Sequence, residues 1–266
     1  YKLTERPYAF TFTKFDAVID NCCDLNCDVD LFLDDNYNFK NSSYLKGDDT
    51  RVSKEELSSE MLRLQEEGAN NINLVTAAHY LPQAALGISL ARERGLTIPV
   101  VYNTSGYELA STLSAAEGLI DVYLADLRYM DPLLARRYSE APDYPSVAKA
   151  AIDEMVRQTG ACVFDERGIL RRGVIIRILL LPGHVRDACE RVSYLYGRYK
   201  DTVMLSLLNQ FTPVPALKDW QEINRKVTKR EYERLLDHAI ALGISNAFIQ
   251  EGRTADESFI PAFTDI

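Results

Sequence analysis

An α/β fold, built as a whole or partial (β/α) barrel that wraps strand–helix units around one axis, is predicted by two observations. Short β-branched or apolar runs alternate with longer segments of helical period, and about seven such runs occur within 266 residues. Repeated right-handed crossovers wrap these units into a barrel, although an open doubly wound sheet has the same sequence pattern. One domain is expected over 1–266, with a polar loop at about 34–50 and a C-terminal extension.

The elements follow in order. "FDAVID" (15–20) reads as a first strand and leads into "NCCDLNCDVD" (21–30). Ser53 opens "SKEELSSEMLRLQEEG" with a cap, Glu56 three residues on, apolar Leu57, Met61 and Leu64, and a closing Gly68, which together predict a helix. "NINLVT" (71–76), "PVVYN" (99–103) and "IDVYLAD" (120–126) read as strands, separated by helices over 82–95 and 106–118. A longer helix is predicted over 145–160, then a short hairpin into a strand at 174–181 and a helix from Val185. The last third predicts a strand at 202–211, a helix at 229–243 and a strand at 246–252. Either architecture places functional groups in the loops after the carboxyl ends of the strands.

Composition narrows the function. Hydrophobic residues are 47% of the chain and charged residues 26%, so a large core is available. A formal charge of -9 opposes attraction to phosphate backbones, and the basic run "RKVTKREYER" (225–234) is interleaved with acids, so no nucleic-acid partner is expected. The longest apolar run, "GVIIRILLLPG", is short and interrupted by Arg177, so no membrane span is expected either. The first residues lack a secretory signal, and the missing initiator Met fits a fragment or processed product. Five irregularly spaced cysteines argue against a disulfide framework and for a cytoplasmic protein.

Three of those cysteines fall within "NCCDLNCDVD". Cys23 and Cys27, with three residues between them, can aim two sulfurs at one iron–sulfur cluster. Zinc is disfavoured, because no C-x-x-C pair or neighbouring His completes a tetrahedral set. The bland alternative is a loop with buried thiols. Asp24, Asp28, Asp30, Asp34 and Asp35 could also face a hard cation, but the EF-hand order is absent and a solvated acidic loop is the plainer reading.

The blocks "GANNINLVTAAHYLPQ", "GLTIPVVYNTSGYE", "IDVYLADLRYMDP", "YSEAPDYP", "RGVIIRILLLPG" and "EGRTADESFIPAF" resemble, in order and spacing, the radical SAM proteins related to pyruvate formate-lyase activating enzyme, in particular the PflX-type branch. The resemblance implies a C-x-x-x-C-x-x-C cluster loop after the first strand. Cys23 and Cys27 match its first two ligands, and Asp30 stands where the third Cys should be. The implied cofactors are a [4Fe-4S] cluster and S-adenosylmethionine. A carboxylate is a harder iron ligand than a thiolate and would alter cluster charge and potential.

The resemblance also implies an S-adenosylmethionine site. Thr76, Ala77 and His79 match a segment after the second strand, with "TAAH" in place of the usual "TPTH". Asn103 and Ser105 follow the next strand and are candidates for ribose or carboxylate contact. Asp126 and Arg128 match an acidic-x-basic motif whose base is usually Lys. Arg177 is a candidate to hold a carboxylate bidentately, whereas Ile178 replaces a His common in relatives. Gln210 is a candidate adenine-side contact. On the residues alone, His79 could simply satisfy a loop carbonyl, and Asp126 with Arg128 could be a structural ion pair. His184 and His238 match no motif, Cys162 and Cys189 read as buried small hydrophobes, and "GYELAS" reads as helix packing.

The implied function is that of an activating-enzyme-type radical SAM protein. In such proteins S-adenosylmethionine is cleaved reductively at the cluster to a 5′-deoxyadenosyl radical that abstracts hydrogen, for activating enzymes from a glycyl-radical protein partner. The alternative is a cluster-less, non-catalytic barrel that binds S-adenosylmethionine or a protein. No P-loop, dinucleotide fingerprint or nucleophile elbow supports another chemistry.

Overall fold

The computed structural model describes residues 31–33, 39–41, 53–75, 77, 81–213, 217 and 220–249. Cys22, Cys23, Cys27 and Asp30, together with Thr76 and His79, lie outside the described residues, as does most of the C-terminal extension. Within 34–50, expected as a loop, Phe39–Asn41 (β2) pairs antiparallel with Leu31–Leu33 (β1).

The helix Lys54–Glu66 (α1) starts as its sequence dictates. Ser53 accepts from the Glu56 amide at 3.2 Å, and the Glu56 carboxylate accepts from the Ser53 amide at 2.7 Å, a reciprocal capping box. Leu57, Met61 and Leu64 on one stripe are buried. The chain continues through Ile72–Val75 (β3), Leu81–Glu93 (α2), Val100–Thr104 (β4), Ala110–Ser114 (α3) and Val122–Asp126 (β5). Then come Pro132–Ser139 (α4), Tyr144–Thr159 (α5), Val163–Phe164 (β6) and Leu170–Leu179 (β7). Val185–Tyr199 (α6), Met204–Leu208 (β8), Lys229–Ala241 (α7) and Ala247–Ile249 (β9) complete it. Among the described residues, no helix is long and apolar enough to cross a membrane.

Two expectations are corrected here. The helix predicted over 106–118 begins only at Ala110, because the Glu108 carboxylate turns back to the strand, accepting from the Tyr102 hydroxyl at 2.8 Å and from the Thr104 hydroxyl. Helix α4 was not predicted, yet Asp131 caps it by accepting from the Leu133 amide at 2.8 Å, and Pro132 occupies its first turn.

Strand order resolves the choice between barrel and doubly wound sheet. The order is β3-β4-β5-β7-β8-β9, every pair parallel, with β6 antiparallel on β7. The order never reverses, so successive crossovers of one hand step the same way and leave the helices on one face, giving a partial (β/α) barrel.

Alternation divides the sheet into two faces. Tyr102, Tyr123, Ala125, Val174, Ile176, Ile178, Leu205 and Leu207 join the helices in the main core. Val101, Val122, Leu124, Ile175, Met204 and Phe248 form a second apolar cluster on the inner face. Further along the same inner face, toward the carboxyl edge, the alternation places Asn103, Asp126, Arg177 and Ser206. Asp126 stands opposite Arg177, and Arg177 opposite Ser206.

Helix α7 carries a second capping box, and it predicts a pH effect. Glu231 accepts from the Thr228 and Gly183 amides at 2.9 and 2.7 Å and pairs with Arg225 at 2.7 Å. The Arg225 guanidinium, helped by those amides, holds the Glu231 carboxyl well below the usual carboxylate range. A depressed folded pKa adds stability above the unfolded value of about 4.3 that is lost as pH falls through the folded one. Denaturant unfolding should therefore show Glu231→Gln less stable than the unsubstituted protein at pH 7, with the gap shrinking below about pH 4. A gap independent of pH would contradict the ionic role.

Candidate functional site

The site is built where the inner face meets the loops after β4, β5 and β7. Arg177, at an inward position of β7, donates from Nε to Asp126 Oδ1 at 2.6 Å and from Nη2 to Asn103 Oδ1 at 2.8 Å. One side chain thus links three strands. Arg128, two residues beyond Asp126 and so outside the sheet, returns to the same carboxylate, with Nε and Nη2 each 3.2 Å from Oδ2. Arg177 is 13% exposed at its side chain and Arg128 49%, so the first is the fixed wall of the cluster and the second faces solvent.

Asp126 therefore receives two guanidinium groups, and the cluster keeps one positive charge in excess. Partial burial strengthens these interactions relative to an exposed pair. Deeper on the inner face, Asn73 of β3 is 9% exposed, and its Oδ1 has no hydrogen-bond partner among the described residues. An unpaired buried carbonyl costs roughly 1–3 kcal/mol unless a donor reaches it.

The loops are set from behind by aromatic side chains. The Tyr144 hydroxyl accepts from the Arg128 amide at 2.9 Å, and its one proton is shared between the Ser105 carbonyl at 2.8 Å and the Asp126 carbonyl at 3.1 Å. The Tyr107 ring stacks on Tyr144 at 5.7 Å, and its hydroxyl donates to Asp143 at 2.8 Å. Burial, reinforced by the nearby Asp126 charge, pushes the Tyr144 phenol well above its ordinary pKa, so it remains a hydroxyl.

A second support lies under the β5 loop. Arg191 is fully buried, with Nε 2.9 Å from Asp187 Oδ2, and its Nη1 donates to the Leu127 and Leu179 carbonyls at 3.0 and 3.2 Å. Asp187 Oδ1 accepts from the Met130 and Asp131 amides at 2.8 and 3.0 Å. Helix α6 thereby holds the backbone on both sides of Arg128. Neither Tyr144 nor this pair was found by sequence reasoning.

Of the sequence-predicted residues, Asn103, Asp126, Arg128 and Arg177 form one hydrogen-bonded group, and Ser105 joins it through its carbonyl. Ala77 is buried in the main core between sheet and helices. Gln210 lies past the end of β8, where its carbonyl accepts from the Thr212 hydroxyl at 3.2 Å. Ile178, in the place of a histidine, faces the helix-side core, away from the cluster. His184 is half-buried and hydrogen-bonded to the Tyr138 hydroxyl at 2.9 Å, with its pKa lowered by burial; His238 meets the Ser193 hydroxyl at 2.7 Å. Cys162 and Cys189 are only partly buried. Among the described residues, no group of three His, Cys, Asp or Glu side chains is placed to hold a metal ion. The expected metal ligands are not among those residues.

Fold and site together define a singly wound parallel α/β partial barrel with an Arg–Asp–Arg–Asn cluster at the carboxyl edge of its strands. Among known proteins, the chain is 26% identical over 142 residues to the uncharacterized protein MJ0674 of Methanocaldococcus jannaschii, a match covering 53% of this chain and 38% of that protein. It shares its fold with SuiB of Streptococcus suis, solved bound to the precursor peptide SuiA, at TM-score 0.52 and 12% identity over 79% of this chain and 45% of SuiB. A domain of pyruvate-formate lyase-activating enzyme from Bacteroides vulgatus aligns at TM-score 0.48 and 12% identity, over 68% of this chain and 98% of that domain. The chain thus spans well under two thirds of MJ0674 and of SuiB. No family model matches the chain.

Proposed function

We propose that this chain is a radical SAM protein of the activating-enzyme type, in which the inner-face cluster receives S-adenosylmethionine. The observation that carries the reading is the convergence of Asn103, Asp126, Arg128 and Arg177, four candidates named from the sequence, into one bonded group at the carboxyl edge. The donor set fits the ligand. Its excess positive charge suits a carboxylate, Asp126 and Asn103 offer acceptors to ammonium or ribose hydroxyls, and the orphan Asn73 carbonyl awaits a donor. Thr76, Ala77, His79, Ser105 and Gln210 complete the proposed set on sequence grounds. Cys23 and Cys27 would supply two thiolates to a [4Fe-4S] cluster, with Asp30 in the third place.

When bound, the cluster and S-adenosylmethionine supply the one-electron chemistry for hydrogen abstraction. The work of this chain's residues is to bind, orient and exclude water. Arg177, tied to two strands, gives the cluster a fixed geometry, and Arg128 adjusts from the loop. A protein partner, such as a glycyl-radical enzyme, is the proposed substrate class; a structural relative that holds a precursor peptide supports it.

Asp30 favours a second reading, a barrel that keeps the ligand site without a competent cluster. Anaerobic reconstitution with iron and sulfide separates the two. The catalytic reading expects bound iron and 5′-deoxyadenosine from S-adenosylmethionine under reduction, both increased by Asp30→Cys. Iron content that stays negligible in both proteins sinks it and leaves the binding reading.

A further inference from the structure

The Tyr144 hydroxyl touches the backbone of both loops that carry the cluster. It meets the Ser105 carbonyl after β4, the Asp126 carbonyl at the end of β5 and the Arg128 amide beyond it. The two loops also meet directly. A Cβ on Gly106 would fall 2.2 Å from the Asp126 carbonyl oxygen and 3.4 Å from the Tyr144 hydroxyl. Tyr144 is 3% exposed and packed against Tyr129, edge to face at 5.5 Å, and against Tyr107, stacked at 5.7 Å. Its ring cannot shift without moving both neighbours, so the hydroxyl is a fixed point.

The Arg128 side chain starts from a backbone whose amide is pinned there and whose guanidinium is only half enclosed. Such a long side chain has many rotamers, and fixing its root reduces the ordering it must undergo on binding. We propose that Tyr144 is a positioning residue of the cluster: its hydroxyl sets the distance between the two loops and so aims Arg128 at the carboxylate of a bound ligand.

This inference rests on the reading of the cluster as an S-adenosylmethionine site, and the experiment separates the two. Tyr144→Phe removes the hydroxyl and keeps the packing. Calorimetric titration of S-adenosylmethionine into the reconstituted protein should show affinity lowered about tenfold by Tyr144→Phe. Because Tyr144 acts through Arg128, the Tyr144→Phe/Arg128→Ala double variant should bind as Arg128→Ala alone does. A merely structural role would make the two losses multiply, which overturns the inference. Hydrogen exchange gives a reading on the unsubstituted chain as well. The Arg128 amide should be protected, and exchange at the rate of an open loop amide would overturn the inference even if Tyr144→Phe proved too unstable to assay. If the unsubstituted protein binds no S-adenosylmethionine, the reading of the cluster falls and the inference with it; if it binds equally well with Phe at 144, only the inference falls.

Discussion

Gly106→Ala should destabilise the protein by roughly 2–5 kcal/mol, read as a shift of the denaturant midpoint. Two causes add. At φ +78° a side chain sits in the left-handed region, which costs about 1–2 kcal/mol, and the new Cβ would press on the Asp126 carbonyl oxygen at 2.2 Å. That neighbour is backbone and cannot rotate away. Gly118→Ala is the control, since its φ is +82° but nothing lies within 4 Å of its Cβ. It should lose only the conformational part. Equal losses at both positions would mean that the close approach of the two site loops is not tight. Because Asp126 would be the atom group displaced, ligand affinity should fall with Gly106→Ala and stay unchanged with Gly118→Ala.

Arg191→Leu should cost about 3–5 kcal/mol, because it strands the Asp187 carboxylate in a site where the residue is 6% exposed. The loss should be partly recovered by adding Asp187→Asn. Asn removes the unpaired charge and keeps an acceptor for the Met130 and Asp131 amides. Equilibrium unfolding of the single and double variants checks this. A double variant no more stable than Arg191→Leu would show that the cost comes from the lost packing of the long side chain and from the Leu127 and Leu179 carbonyls it leaves unpaired. Burial already pulls the Arg191 guanidinium below its ordinary pKa, against the opposing effect of the Asp187 charge.

The legible parts of this molecule are those written in local periodicity. Ser53, Glu56 and the Leu57–Met61–Leu64 stripe announce α1, and α7 repeats the device with Thr228 and Glu231. The alternation of strands and helices announced a wound α/β sheet but left its topology open, since strand order is a long-range property that no single unit encodes. The failures have the same origin. "GYELAS" has helical spacing, yet the long-range hydrogen bonds of Glu108 to Tyr102 and Thr104 hold 106–109 as loop. Asp187 and Arg191, four apart on a helix, have the spacing of any surface ion pair, so nothing local marks them as the pair buried beneath the β5 loop. Tyr144 falls in the quoted block "YSEAPDYP", but nothing there assigns its hydroxyl a role. Asn103, Asp126 and Arg128 were legible because they lie at or just beyond a strand's carboxyl end, where wound sheets collect polar groups, and Arg177, inside β7, only through the family resemblance. Their shared hydrogen bonds, which leave a single carboxylate between two guanidiniums, were not.

The central claim is that this cluster is a ligand site for S-adenosylmethionine and more than a structural ion pair. Titration calorimetry of S-adenosylmethionine into the unsubstituted protein and into Asp126→Ala and Arg177→Met variants that remain folded tests it most directly. The account predicts saturable binding to one site per chain, lost in both variants. No binding to the unsubstituted protein, or binding untouched by the loss of Asp126 and Arg177, would contradict it.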